Sequence, residues 1–115
     1  MGARIERWDL RLDGPLSEAA VQRKIETLGY DIAARIYPAG RATNAASDTR
    51  DALTAVVRGV VKLTLDDQPE LLTAGDIVFV PAGMSRRLEV VGPAPALCLE
   101  AFRSRSQEPR EPVAR

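Results

Sequence analysis

From Gly59 to Pro95 a glycine or proline recurs at intervals of ten residues or fewer, which leaves room only for short extended runs. Glycine reaches the backbone conformations of tight turns, and proline cannot donate to a strand ladder, so both mark strand ends. Between the breaks lie apolar and β-branched runs at 53–57, 60–65, 77–80, 86–91 and 96–102. An earlier run at 30–37 ends at Pro38-Ala39-Gly40. Asp66-Asp67-Gln68-Pro69 reads as a turn that returns the chain through 70–73, and Ala74-Gly75-Asp76 reads as another. Short, closely spaced strands of this kind predict an all-β antiparallel sandwich or barrel.

The N-terminal segment reads differently. Residues 4–9 suit a short edge strand, and Gly14-Pro15 breaks the chain. Ser17 suits the N-cap of one short α-helix running to about Leu28, with Val21, Ile25 and Leu28 as its apolar stripe. Gly29 stands where a left-handed helix end is expected. The expected organisation is a strand and helix over 1–29 packing on a barrel over 30–102. A charged, proline-bearing tail at 103–115 is expected to be disordered.

Composition narrows function. Apolar residues are 45% of the chain and aromatics only 4%, so the core must be built from Val, Leu, Ile and Ala. Sixteen basic residues balance sixteen acidic ones, which argues against nucleic-acid binding, since that needs excess positive charge. The chain holds no histidine, which removes imidazole bases, Ser-His-Asp triads and His-ligated metals. The lone cysteine, Cys98, cannot form an intrachain disulfide or a structural zinc site, and is expected to be a buried filler. No signal peptide or membrane-spanning run is evident, and the helix lacks the basic face of a membrane binder, so a cytoplasmic protein is expected.

The spacing of the turn residues resembles the two motifs of the cupin superfamily. The first runs Gly, five residues, His-x-His, three or four residues, Glu, six residues, Gly. Here it starts at Gly40, carries Ala46-Ser47-Asp48 and Ala52 at the ligand positions, and closes at Gly59. The second runs Gly, five residues, Pro-x-Gly, two residues, His, three residues, Asn. Here it reads Gly75, Pro81-Ala82-Gly83, Arg86 and Val90. Every Gly and Pro marker is in register, and all four ligand positions are substituted. The resemblance covers roughly 30–102 and implies a jelly-roll barrel (a double-stranded β-helix) with an internal pocket, and pairing into a homodimer.

Cupins often hold iron, manganese, nickel or zinc on three His and one Glu. None of that carries over residue by residue, because Ala46 and Ala52 have no donor atom and Arg86 is a permanent cation. No metal and no other cofactor is therefore expected. In the strand 86–91, Arg86, Leu88 and Val90 share the more apolar face, so Arg86 should point inward. Asn44, Ala46 and Asp48 share a face if that segment is extended. These positions suggest a charge-assisted pair of Arg86 with Asp48 inside the pocket. Arg86 facing inward with another partner, and Arg86 snorkelling to the mouth, are the alternatives.

The expected ligand set is Asp48, Arg86, Asn44, Thr54 and Glu100, holding a small organic molecule, with an anion as the narrower option. Strand parity leaves the direction of Glu100 open, because both faces of its strand are apolar. Tyr30 and Tyr37 suit packing at the barrel rim better than acid-base roles. Arg35, Arg41 and Arg50 read as solvated surface. No catalytic residue is assigned. A metal-independent isomerase, epimerase or cyclase, and a degenerate dimerisation scaffold with a filled interior, stand as alternative functions.

Overall fold

The computed structural model describes residues 2–103, and all but the first residue of the tail expected at 103–115 lies outside the described residues. Arg103 is the last residue of a strand rather than the first of a tail. The strands are β1 (Arg4–Glu6), β2 (Asp31–Tyr37), β3 (Asp51–Arg58), β4 (Val61–Leu65), β5 (Gln68–Leu72), β6 (Ile77–Val80), β7 (Arg86–Val90) and β8 (Ala96–Arg103). Two helices stand where one was expected: α1 (Leu10–Asp13) and α2 (Glu18–Thr27). The extra turn of α1 has a local cause. Asp9 caps it by accepting from the Arg11 backbone N–H, and Asp13 closes back onto the Asp9 N–H.

The strands form two antiparallel sheets, in the orders β1-β6-β3-β8-β2 and β5-β4-β7, packed as a jelly roll whose sheets are not closed into a continuous ladder. The segment after β2 runs alongside β7, tied by bridges Ala42–Glu89 and Ala46–Arg86. The β4–β5 hairpin turns on Asp66 and Asp67, with φ of 46° and 72°. Two positive φ values in a two-residue loop match the twist of the flanking strands. Pro69, expected to lie in the turn, sits inside β5 opposite Thr64. It fits because β5 is an edge strand and needs no outward ladder donor.

Two apolar clusters flank the large sheet. One fills the space between the sheets, with Ala52, Val56, Val78, Val80 and Cys98 facing Val61, Leu63, Leu72, Leu88 and Val90. The other lies on the outer face, where Leu53, Ala55, Ile77, Leu97, Leu99 and Ala101 pack against Val21 and Ile25 of α2. Helix α2 thus covers a sheet face. Its cap is the expected one, with the Ser17 hydroxyl accepting from the Ala20 N–H. The third member of its expected stripe, Leu28, is exposed, because it lies at the helix end beyond the sheet's reach; Ala20 is buried instead.

Cys98 lies on the inward face of β8 and is fully buried. Burial, with the nearby Glu100 charge adding to it, pushes its thiol up to about 12 from 9.0. The folded state favours the neutral thiol, so this contribution to stability is whole below pH 9.0 and fades as pH rises toward about 12. Urea midpoints are expected to hold to pH 9 and then fall, less steeply in Cys98→Ala. A thiol reagent should label the protein only in urea; rapid stoichiometric labelling of the native chain would contradict this burial.

Candidate functional site

Strand alternation sets the site. In β3, Ala52, Thr54 and Val56 point between the sheets; in β8, Ala96, Cys98 and Glu100 do; in β7, Arg86, Leu88 and Val90 do. The two apolar faces of β8 have one simple cause, since α2 buries its outer face while the second sheet buries the inner one. Parity counted from Cys98 then turns Glu100 inward.

A cavity of about 170 Å³ lies between the sheets. Tyr37, Thr54 and Glu100 line it from the large sheet. Leu63, Arg86 and Leu88 line it from the small sheet, with Thr43, Asn44 and Ala46 from the segment that runs beside β7. Four expected ligand-set residues, Asn44, Thr54, Arg86 and Glu100, are therefore brought together around one space. The fifth is not.

Asp48 is a correction. It turns to Arg50, which donates from Nε to Oδ1 at 2.8 Å, from Nη2 to Oδ2 at 2.9 Å and from its backbone N–H to Oδ1 at 2.9 Å. No pair with Arg86 forms, and Asp48 does not line the cavity. A fork two residues away, with its backbone donor already in position, captures the carboxylate more readily than a guanidinium on another strand. These bonds hold the Asp48 carboxyl well below the usual carboxylate range, with Arg86 adding a small pull. Arg50, expected to be plain solvated surface, has this specific partner and also lies over the Phe102 ring at 4.2 Å.

Arg86 is anchored by its backbone. Its N–H donates to the Ala46 carbonyl at 2.8 Å, and the Ala46 N–H donates to its carbonyl at 2.9 Å. Its guanidinium lies 5.1 Å from the centre of the Phe102 ring. Nη1 is buried and has no hydrogen-bond partner, and no other buried side-chain nitrogen or oxygen among the described residues shares that condition. Burying a charged donor without an acceptor is costly.

Glu100 is held from two sides. The Tyr37 hydroxyl donates to Oε2 at 2.5 Å, and Arg35 Nε stands 3.3 Å from Oε1. Burial, then the bond to Glu100, pushes the Tyr37 phenol well above its ordinary range. Tyr37 therefore does more than pack at a rim, and Arg35 does more than face solvent. The alternation of β2 carried a readable signal for this, since Tyr37 and Arg35 share a parity and register with the inward-facing Ala96 and Cys98.

The positions where the resembled family carries metal ligands hold Ala46, Asp48, Ala52 and Arg86. Two lack donors, one is a cation, and Asp48 is engaged by Arg50. Among the described residues no three His, Cys, Asp or Glu side chains gather closely enough to hold a metal ion. The donor set does not fit a divalent cation. Also among the described residues, no helix is long and apolar enough to cross a membrane.

A family model described as the cupin domain matches residues 34–102. A cupin superfamily protein from Desulfitobacterium hafniense is 22% identical, with a TM-score of 0.59 over 64% of this chain and 66% of that one. An RmlC-like cupin from Shewanella frigidimarina is 22% identical, with a TM-score of 0.56 over 65% of this chain and 68% of that one. A cupin 2 conserved barrel domain protein from Salinispora arenicola is 13% identical, with a TM-score of 0.63 over 69% and 66%. Likenesses at these identities speak for the fold, and this chain spans about two thirds of the length of those proteins. No curated protein matches.

Proposed function

This chain belongs to the cupin domain family, and we propose that its barrel binds a small organic anion, with Arg86 in place of a metal ion. The observation that carries this reading is Arg86 in the lining of the 170 Å³ cavity, with one guanidinium nitrogen, Nη1, buried and unpartnered. A carboxylate or similar anion offers that nitrogen the acceptor the protein withholds, and a guanidinium engages such groups in a two-pronged, charge-assisted fork. Leu63 and Leu88 supply an apolar wall, and Thr54 and Asn44 supply polar points for orientation. A cavity of about 150 Å³ holds a molecule the size of benzene, so the ligand is a compact one.

A metal-independent isomerase, epimerase or cyclase has one observation in its favour, the joined Tyr37 hydroxyl and Glu100 carboxylate inside the cavity. The raised phenol works against it, because an acid-base group is most effective when it titrates near the working pH. A scaffold role predicts a filled interior, which an open cavity does not favour. Pairing of two copies remains part of the proposal, on the resemblance alone.

Native mass spectrometry with elemental analysis of the purified protein tests the reading. The expected result is a small organic acid, or thermal stabilisation by added small carboxylates, without stoichiometric metal. Stoichiometric iron, manganese or zinc would overturn it, and so would indifference to every small acid. The same spectra report whether two copies pair.

A further inference from the structure

The cavity wall carries a carboxylate as well as a guanidinium, and they come from opposite sheets: Glu100 from β8 and Arg86 from β7. Among the described residues Glu100 pairs with Arg35 and not with Arg86. Building on the anion site proposed above, we infer that the ligand is a compact monocarboxylate bearing a hydrogen-bond donor at its other end, a hydroxy acid or an amino acid rather than a phosphate ester.

The geometry of Glu100 and the charges across the cavity support this assignment. Tyr37 and Arg35 occupy one site on each Glu100 oxygen, and a carboxylate oxygen accepts twice, so acceptor capacity toward the cavity remains. An ammonium or hydroxyl at that end meets it, while the anionic end meets the Arg86 guanidinium. A dianion would instead bring surplus negative charge toward Glu100 between apolar walls, where repulsion is poorly screened. A simple fatty acid of the same length would leave its apolar end against the Glu100 carboxylate. Opposite charges set across one small space favour an occupant with a matching dipole.

Calorimetric titration of the full chain with butyrate, 4-hydroxybutyrate, 4-aminobutyrate and propyl phosphate tests the inference. Either terminal donor should strengthen binding roughly tenfold or more over butyrate, the scale of one charge-assisted hydrogen bond. Propyl phosphate should bind more weakly than butyrate. In Glu100→Gln the ammonium should lose its advantage while butyrate binding persists, and propyl phosphate should gain. The wild-type ranking decides by itself if that variant folds poorly. Butyrate binding as tightly as both donor-bearing acids, or propyl phosphate binding most tightly, overturns this inference and leaves the anion site standing. Failure of all four to bind removes the anion site itself, and the inference with it.

Discussion

Arg86→Met is expected to stabilise the ligand-free protein while destroying its affinity for small acids. The guanidinium has a buried nitrogen with no acceptor, a condition that costs about 1–3 kcal/mol. Against that gain stands the loss of its contact with the Phe102 ring, worth about 0.5–1 kcal/mol at a partly exposed site. Methionine keeps the length of the side chain and adapts to irregular space, so little packing is lost. The net gain is about 1 kcal/mol, or roughly 4 °C in thermal midpoint for a domain of this size. Binding moves the other way. Losing a two-pronged, charge-assisted contact at about 1.5–3 kcal/mol per bond lowers affinity by roughly 100-fold or more. Arg86→Lys keeps the charge without the fork and should fall between. A drop in the midpoint of Arg86→Met by several degrees would mean that the guanidinium is satisfied in the free protein.

Gly59→Ala is expected to cost far more stability than Gly40→Ala, although both glycines hold positive φ, 95° and 78°. A side chain at Gly59 would put its Cβ 2.8 Å from the Ala96 Cα, whose backbone cannot yield without moving the start of β8. At Gly40 nothing lies within 4 Å. Left-handed backbone costs about 1–2 kcal/mol at either site. Overpacking adds about 1–3 kcal/mol at Gly59 alone. The combined loss of about 2–5 kcal/mol is a large share of the about 5–15 kcal/mol that holds a typical domain together. Urea denaturation of both variants measures the difference. Equal losses would show that Gly59 is needed for its conformation only and not for the close approach to β8.

Much of the barrel was legible because its turns are chemically marked. The strand expected at 77–80 forms as β6, between the Gly75 turn and Pro81. The strand expected at 86–91 forms as β7, one residue shorter, with Arg86 and Leu88 facing inward. These features follow from local rules: a turn needs a residue that tolerates its backbone angles, and side chains alternate along a strand. Pro69 was misread because the rule that excludes proline from ladders depends on whether the strand has an outer neighbour. Leu28 was misread because helical spacing does not say how far the covered sheet extends.

The site divides along the same line. The chain's own residues determined that a cation stands where the resembled motif has histidine, and that Asn44, Thr54 and Arg86 would share one space. They also determined the fold, since turn propensity and strand alternation act within a few residues. Only the tertiary structure decided that Asp48 closes onto Arg50, that Glu100 faces inward, and that Tyr37 and Arg35 hold it there. Such pairings are competitions among several acceptors and donors within reach. Their outcome depends on ångström differences in position that arise only when the two sheets and the helix are packed together.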